Sequence, residues 1–233
     1  MLSAVFASLV LSTVPFSPAD APPHQPPSPL IDFRHLDATL TIEPEKGTVV
    51  GELTHTFRSV GQPRSRVTLH LSPAMTLTRV TDGAGKEIKP IRRGDVVVLP
   101  LAQPAPTDAD STLKIQWRGA PTGGMHFVTS EMAPARAEVW TQGETMFARG
   151  WIPVWDYPNE RFTSAMAIRV KKPWVARSIG KLVQVTEDGV YRTYHWAMEQ
   201  DHVAYLLSLN IGKFLIIEDK ADGAGPGGAS VPL

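Results

Sequence analysis

One segment of the sequence concentrates the residue types that can do chemistry. It runs from Thr141 to Phe162, reads TQGETMFARGWIPVWDYPNERF, and has no clear period. Gln142 and Glu144 follow a predicted strand that begins near Glu138, so strand alternation places both side chains on one side, with Trp140. A carboxylate beside an amide at a strand end can bind a cationic group through charge-assisted hydrogen bonds. The segment therefore predicts a site for a cationic ligand at Gln142 and Glu144.

The rest of this segment predicts a rigid loop. Pro153 and Pro158 flank the residues VWDY and fix a path outside a strand ladder. Asp156 is expected to form an internal ion pair with Arg149 or Arg161.

Four tryptophans lie within or beside the same segment: Trp140, Trp151, Trp155 and Trp174. An aromatic core beneath the loop is the favoured interpretation, and an exposed carbohydrate-binding surface is the alternative.

Known catalytic patterns are missing from the sequence. It has no cysteine, which excludes disulfides, thiolate zinc ligands and a thiol nucleophile. None of its seven histidines belongs to an H-E-x-x-H motif, and neither G-x-S-x-G nor a phosphate-binding glycine loop occurs. We expect no catalytic residue, no metal ligand and no cofactor in this chain.

Composition indicates a globular protein without a nucleic-acid partner. The chain has 233 residues, 42% of them hydrophobic, and 23 basic residues balance 23 acidic ones. A nucleic-acid-binding domain would normally carry a basic excess.

The two ends differ from the middle. Residues 1–21 resemble a signal peptide, with an apolar run and an A-x-A sequence at 19–21. They predict export to the periplasm or the cell exterior, with no transmembrane segment beyond them. Residues 22–31 form a Pro-rich linker, and residues 220–233 form a Gly-rich tail whose abrupt end is consistent with truncation.

Period-two alternation from Phe33 onward predicts an all-β fold, mainly antiparallel, built as a multi-sheet sandwich-like domain. Leu36, Ala38, Leu40 and Ile42 share one face of the first strand, which forms a hairpin with residues 48–59 across EPEKG. Later strands are expected at 67–71, 77–81, 96–101, 112–118, 164–170, 176–186 and 190–197. A hairpin turn is expected at 187–189, and a central strand covered on both faces at 203–211.

The ordered series of motifs resembles the aminopeptidase N-like zinc metallopeptidases. WTQGETMFARGWIPVWDYPNERF is similar to a family signature with a T-Q-x-E element, then A-R, then an aromatic-Pro-x-aromatic-Asp-x-Pro run. The opening hairpin and the closing strands through Gly212-Lys213-Phe214 also match, so the resemblance covers residues 32–219.

This resemblance implies a saddle-shaped N-terminal β domain that caps a zinc-binding catalytic domain. It also implies that Glu144, with Gln142 beside it, accepts the free α-amino group of a peptide. The remaining matched residues would be structural and set the loop: Arg149, Pro153, Trp155, Asp156 and Pro158.

The sequence departs from the family where Gly150, Val154 and Tyr157 replace frequent Arg, Cys and Glu. It also ends before the family's zinc-binding helix, so we expect no peptidase activity from this chain alone. The catalytic domain would be a partner in cis or in trans, and zinc would belong to that domain. Two alternatives are a free-standing β binding or interaction module and a carbohydrate-binding sandwich that uses Trp151 or Trp155.

Overall fold

β-Strands are the main regular structure of the described chain, as the alternation predicts, and the helical segments among these residues are short. The computed structural model describes residues 26–133, 137–216, 220–221, 223 and 231–232. The predicted signal peptide, the linker before Pro26 and most of the tail lie outside these residues.

The strands, in chain order, are β1 Ile31–Glu43, β2 Thr48–Ser59, β3 Arg64–His70, β4 Met75–Asp82, β5 Ile91–Arg93, β6 Val96–Ala105, β7 Ser111–Gly119, β8 Met125–Val128, β9 Glu138–Thr141, β10 Phe162–Lys171, β11 Val175–Ser178, β12 Lys181–Asp188, β13 Tyr191–His202, β14 Leu209–Gly212, β15 Lys220–Ala221 and β16 Val231–Pro232. Three short 3-10 helices occupy Pro44–Lys46, Ala148–Gly150 and Ala204–Leu206.

A seven-stranded sheet forms the main layer, in the order β12-β13-β10-β1-β2-β7-β4. Its strands pair antiparallel, except that β1 pairs parallel with β10. Smaller sheets have the orders β11-β14-β9-β8, β3-β6-β5 and β15-β16. The prediction of an all-β, mainly antiparallel fold with several sheets is confirmed.

The first hairpin shows why the alternation was informative. Leu36, Ala38, Leu40 and Ile42 are all buried, whereas the polar residues between them are not. The hairpin closes through the 3-10 helix at Pro44–Lys46, and Gly47 follows with a φ of 63°. This left-handed conformation favours glycine because it has no Cβ to clash.

Two strand predictions were wrong at their boundaries. The single strand expected at 176–186 is divided into β11 and β12, which lie in different sheets. Gly180 breaks it: its φ is 82°, and a Cβ there would lie 2.1 Å from the carbonyl oxygen of Ala197. The hairpin turn after Asp188 is confirmed, because Asp188 pairs with Tyr191 and Gly189 has a φ of 57°.

The expected central strand at 203–211 was also wrong. Ala204–Leu206 form a 3-10 helix, and only Leu209–Gly212 form a strand. The apolar residues of this run are therefore not all buried. Leu207, Leu209 and Ile211 are buried, whereas Leu206, in the 3-10 helix, is 48% exposed. The strand β14 is nevertheless internal to its sheet, between β11 and β9.

The core is continuous, and its largest fully buried side chains include Trp117 and Trp151. Trp117, in β7, pairs with Gly51 in β2. A Cβ on Gly51 would lie 2.3 Å from the Trp117 ring, so glycine leaves the space that the indole fills. The Nε1 of Trp117 donates a hydrogen bond to the carbonyl oxygen of Trp151 at 2.9 Å, which ties the core to the irregular segment.

We predict that Gly51→Ala lowers the free energy of unfolding by about 1–3 kcal/mol, the range for overpacking a close-packed core. Gly123→Ala is the matched control, because a Cβ there meets nothing within 4 Å, and its cost should stay within about 0.5 kcal/mol. Urea denaturation of both variants measures the difference. Equal midpoints for the two variants would contradict the role given to Gly51.

Candidate functional site

The end of β9 presents Gln142 and Glu144 to solvent. Both side chains are exposed, while Gly143 between them is buried. The backbone N–H of Gln142 donates to the carbonyl oxygen of Gly124 at 2.9 Å, which extends the pairing of β8 and β9 by one step. Among the described residues, no hydrogen bond or ion pair uses the Glu144 carboxylate. Its charge is therefore available to a ligand.

A turn at 143–147 sets the position of Glu144. The N–H of Phe147 donates to the carbonyl oxygen of Gly143 at 2.9 Å. A Cβ on Gly143 would lie 2.3 Å from the carbonyl oxygen of Tyr205, so the turn packs directly on the backbone of the 3-10 helix at Ala204–Leu206. Sequence reasoning missed this role, although the glycine inside TQGE was a usable signal.

At two further glycines, Gly124 and Gly150, the segment 147–150 packs closely against the loop before β8. A Cβ on Gly124 would lie 1.9 Å from the carbonyl oxygen of Phe147, and one on Gly150 would lie 1.9 Å from that of Gly123. Backbone therefore packs on backbone on both sides of the turn. This explains why Gly150 occupies its position, where a larger side chain would separate the two loops.

Exposed apolar side chains lie near Glu144 along the chain and in the segment that packs on Gly143. Trp140 is 38% exposed and stacks on His126, with ring centroids 4.2 Å apart. Met146, Phe147 and Leu206 are exposed as well. A cleft of about 400 Å³ begins at Thr145 and is lined by these residues: Ser72, Pro73, Asp95, Thr122, Gly123, Thr145, Met146, Phe147, Arg149 and Gly150. A group bound at Glu144 would thus lie beside a concave, partly apolar surface.

Arg149 forms the internal ion pair with Asp156, and Arg161 does not. The Nε of Arg149 lies 2.9 Å from Oδ2 of Asp156, and the backbone N–H of Arg149 donates to the same oxygen at 3.0 Å. Nη2 donates to the carbonyl oxygen of Asp156, and Nη1 binds Asp95 at 2.5 Å. Asp95 comes from the turn before β6, which sequence spacing could not have connected to this loop.

The two carboxylates around Arg149 have opposite environments. Burial raises the pKa of Asp156, whose side chain is only 1% exposed, although the hydrogen bonds from Arg149 act against that shift. The hydrogen bond from Arg149 lowers the pKa of the more exposed Asp95. The Arg149 guanidinium therefore bridges a buried carboxylate of the loop, Asp156, and a more exposed one, Asp95.

Histidines bind the backbone of the same loop. Nε2 of His55 lies 2.9 Å from the carbonyl oxygen of Pro153 and donates to it. Nδ1 of His70 accepts from the N–H of Asp156 at 3.2 Å, and the backbone of His70 makes two hydrogen bonds with Val154. An unprotonated Nδ1 is required for that first bond, so His70 is neutral in this arrangement.

Of the other residues in this loop, Trp155 and Tyr157 pack on His70, with centroid distances of 5.4 and 5.1 Å. Trp151 is fully buried, and Pro158 is exposed. Burial of Trp151 removes it from any carbohydrate-binding surface, and the core interpretation holds for it.

Three buried groups have strongly shifted pKa values. Burial lowers the pKa of His55 to about 4, and burial together with the Arg149 charge lowers that of His70 to about 4. Burial raises the pKa of Glu160 to about 7; one of its oxygens accepts from the N–H of Phe33 at 3.1 Å. All three groups favour their neutral forms because they are held away from water.

Within the described residues, no group of three or more His, Asp or Glu side chains is placed to hold a metal ion. No helix in the described part of the chain is long and apolar enough to cross a membrane.

Comparison with known proteins identifies the class that this β fold defines. The family model described as the Peptidase M1 N-terminal domain matches residues 33–206. The chain belongs to this family. No curated protein sequence matches it.

Solved structures share the fold. The M1 zinc metallopeptidase from Deinococcus radiodurans superposes with a TM-score of 0.75 at 20% sequence identity, over 87% of this chain and 46% of that one. A point mutant of the same enzyme bound to a Tyr-Ser-Ala substrate gives the same values. The chain thus spans about half the length of these metallopeptidases.

We predict that Asp156→Asn lowers the free energy of unfolding by about 2–4 kcal/mol, because it removes the buried one of the two carboxylates that neutralise the largely buried Arg149. Asp188→Asn is the control: Asp188 also pairs with an arginine at 3.0 Å but is 84% exposed, and its loss should cost less than about 1 kcal/mol. Chemical denaturation at pH 7 measures both. A small effect at Asp156 would show that the loop is held by other contacts.

We also predict that acid destabilises the fold through His55 and His70. Their folded pKa values of about 4 lie below the ordinary value of 6.5, so the unfolded state binds more protons between these limits and stability rises with pH. Glu160 has the opposite effect, because its pKa is raised in the folded state, from 4.5 to about 7. Between these pH values its contribution to stability falls as pH rises, which reduces the net gain in unfolding free energy.

The test replaces His70 with Asn, whose Oδ1 accepts a hydrogen bond without titrating. The gain in unfolding free energy between pH 5 and 6.5 should fall by about 1.5 kcal/mol relative to the unmodified chain. His195→Asn, at a partly exposed position, should keep the original slope. Urea denaturation at several pH values checks this, and parallel curves for the His70 variant and the unmodified chain would refute it.

Proposed function

We propose that this chain is the substrate-recognising N-terminal domain of an M1-type aminopeptidase. In this proposal it caps a zinc-bearing catalytic domain, in cis or in trans, and Glu144 with Gln142 receives the free α-ammonium group of a peptide. The zinc ligands belong to the catalytic domain, and the chain acts after export, as its signal-like residues 1–21 suggest.

The observation that carries this proposal is the division of charge within one segment. Asp156 is buried and used by Arg149, whereas Glu144 is exposed and has no partner among the described residues. Glu160, the other carboxylate of the segment, is buried against the Phe33 N–H. Glu144 is thus the carboxylate of this segment that a ligand can reach, and an ammonium group is its chemical complement.

The surroundings of Glu144 support a role for a covering domain. A carboxylate in open water binds an ammonium group weakly, because solvent screens the pair. A domain docked on the apolar side chains around Glu144 would exclude that water and strengthen the interaction. Exposed Trp140, Met146, Phe147 and Leu206 form such a surface, which is typical of protein interfaces.

Selectivity for unblocked peptides follows from the same chemistry. A free amino terminus offers a positive charge and hydrogen-bond donors to Glu144. An acetylated terminus offers neither charge nor a comparable donor set, and it leaves the carboxylate desolvated without a partner.

We predict that Glu144→Gln lowers kcat/KM for unblocked peptides about 10- to 100-fold when the chain is joined to an M1 catalytic domain. This corresponds to about 1–3 kcal/mol for a hydrogen bond to a charged group. The melting temperature should not change, because the side chain is exposed and has no internal partner.

Glu199→Gln, at another exposed glutamate, is the matched control and should leave both quantities unchanged. Hydrolysis of an aminoacyl reporter and thermal melts give the two measurements. A large fall in melting temperature would make Glu144 structural, and unchanged kinetics would show that it does not meet the substrate.

A further inference from the structure

A second concave site lies between β3 and the residues that precede β1. It is a cavity of about 530 Å³ that shares no lining residue with the cleft beside Glu144. Its walls combine the end of the irregular loop, Trp155 and Tyr157, with the segment Pro27–Ile31. A volume of this size accommodates a small organic molecule.

The charge of the cavity lining is entirely positive. Arg64 and Arg66 line it, and among the described residues no aspartate or glutamate does. Within the described part of the chain, Arg66 makes no ion pair or side-chain hydrogen bond. The Nε of Arg64 is buried without a hydrogen-bond partner there, and its Nη2 donates to the carbonyl oxygen of Val60 at 3.3 Å. The exposed Arg66 therefore offers its guanidinium to an anionic ligand, and Arg64 adds a second positive charge to the same lining.

The strand β3 directs polar groups toward the same space. Arg66, Thr68 and His70 are spaced two residues apart, so they share one side of the strand, and all three line the cavity. The Nδ1 of His70 accepts from the Asp156 N–H, which leaves the Nε2–H as a donor for a ligand.

The remaining walls are aromatic and apolar. Phe33, Trp155 and Tyr157 line the cavity together with prolines and Leu30. Trp155 and Tyr157 pack against each other at 5.2 Å between ring centroids. Such walls suit a flat, apolar body, because aromatic rings pack well in offset or edge-to-face arrangements.

Specific hydrogen bonds hold the segment Pro27–Ile31, which forms one wall of the cavity, in place. The Nδ2 of Asn159 donates to the carbonyl oxygen of Pro27 at 2.9 Å, while Trp155 Nε1 donates to Oδ1 of the same asparagine at 3.2 Å. The N–H of Val60 donates to the carbonyl oxygen of Leu30 at 3.0 Å. The cavity is therefore built by long-range contacts.

We propose that this cavity binds an aromatic carboxylate, with the carboxylate on Arg64 and Arg66 and the ring against Trp155 and Tyr157. The planar guanidinium fork matches the two oxygens of a carboxylate, which favours this class of ligand over a neutral one. Two sources supply the same chemistry: a free aromatic acid, or the C-terminal carboxylate of a peptide ending in an aromatic residue.

The test uses N-acetyl-L-phenylalanine, whose blocked amine cannot engage Glu144, against N-acetyl-L-phenylalaninamide, which lacks the carboxylate. Isothermal titration of the full chain should show the acid binding at least about tenfold more tightly than the amide, as expected when a hydrogen bond to a charged group is lost. In nitrogen-15 spectra the indole N–H of Trp155 should shift on addition of the acid.

Three variants locate the interaction. Arg66→Gln should weaken binding of the acid about tenfold or more, and Arg66→Lys should weaken it less, since it keeps the charge but loses the fork. Arg118→Gln, at an exposed arginine whose side chain makes no ion pair or hydrogen bond among the described residues, should bind like the unmodified chain. Because Arg66 is exposed and unpaired, its variants are expected to fold.

The source of the carboxylate is tested with N-acetyl-Gly-Gly-Gly-Phe. Binding as tight as that of N-acetyl-L-phenylalanine supports a peptide C-terminus, and much weaker binding supports a free aromatic acid. No binding of the small acid, equal binding of acid and amide, or an unaffected Arg66→Gln variant would overturn the proposal. None of these outcomes bears on Glu144, because every probe lacks a free amine.

Discussion

The bond of Arg149 to Asp156 is the interaction on which the irregular segment depends. One carboxylate oxygen receives both the backbone N–H and the guanidinium of Arg149, which closes a loop of eight residues on itself. At the start of this loop Gly150 packs against Gly123, and just before it Phe147 packs against Gly124 in the turn that carries Glu144. Toward the C-terminus, the closed loop presents Trp155 and Tyr157 to His70. Both concave sites thus share one internal anchor, although no lining residue is common to them.

Uncharged side chains, two of them histidines, supply further hydrogen bonds to the backbone of this loop. A loop that runs through a core must satisfy its backbone groups without the ladder of a sheet. Here Trp117, His55 and His70 each bond to one backbone group of the loop. At a pH above its pKa, imidazole is neutral and offers one hydrogen-bond donor and one acceptor. The backbone groups of the loop therefore find partners that need no counter-ion at neutral pH. Arg149 is the exception, and two carboxylates neutralise it.

The sequence predicts the sheets well where local pattern decides, and poorly where distant contacts decide. The β1–β2 hairpin follows from alternation alone, since one face of each strand is buried. At the division, Gly180 packs closely on the carbonyl of Ala197, and the 3-10 helix at Ala204–Leu206 packs its backbone on Gly143. Glu144 and Arg149 were found because they lie within one readable motif. Asp95, His70 and the Arg64–Arg66 pair were not, because folding brings them to their partners from other strands.

The parallel pairing of β1 with β10 has a consequence for how the chain folds. His35 contacts Thr163 across 128 residues of sequence, and β1 lies between β2 and β10 in the main sheet. During synthesis from the N-terminus, the first hairpin is complete long before β10 exists. One side of β1 then remains an open edge, able to pair with any extended strand that it meets. Contacts of such high order slow folding and leave intermediates that aggregate. The central strand of the finished sheet is therefore its most vulnerable edge while the chain is being made.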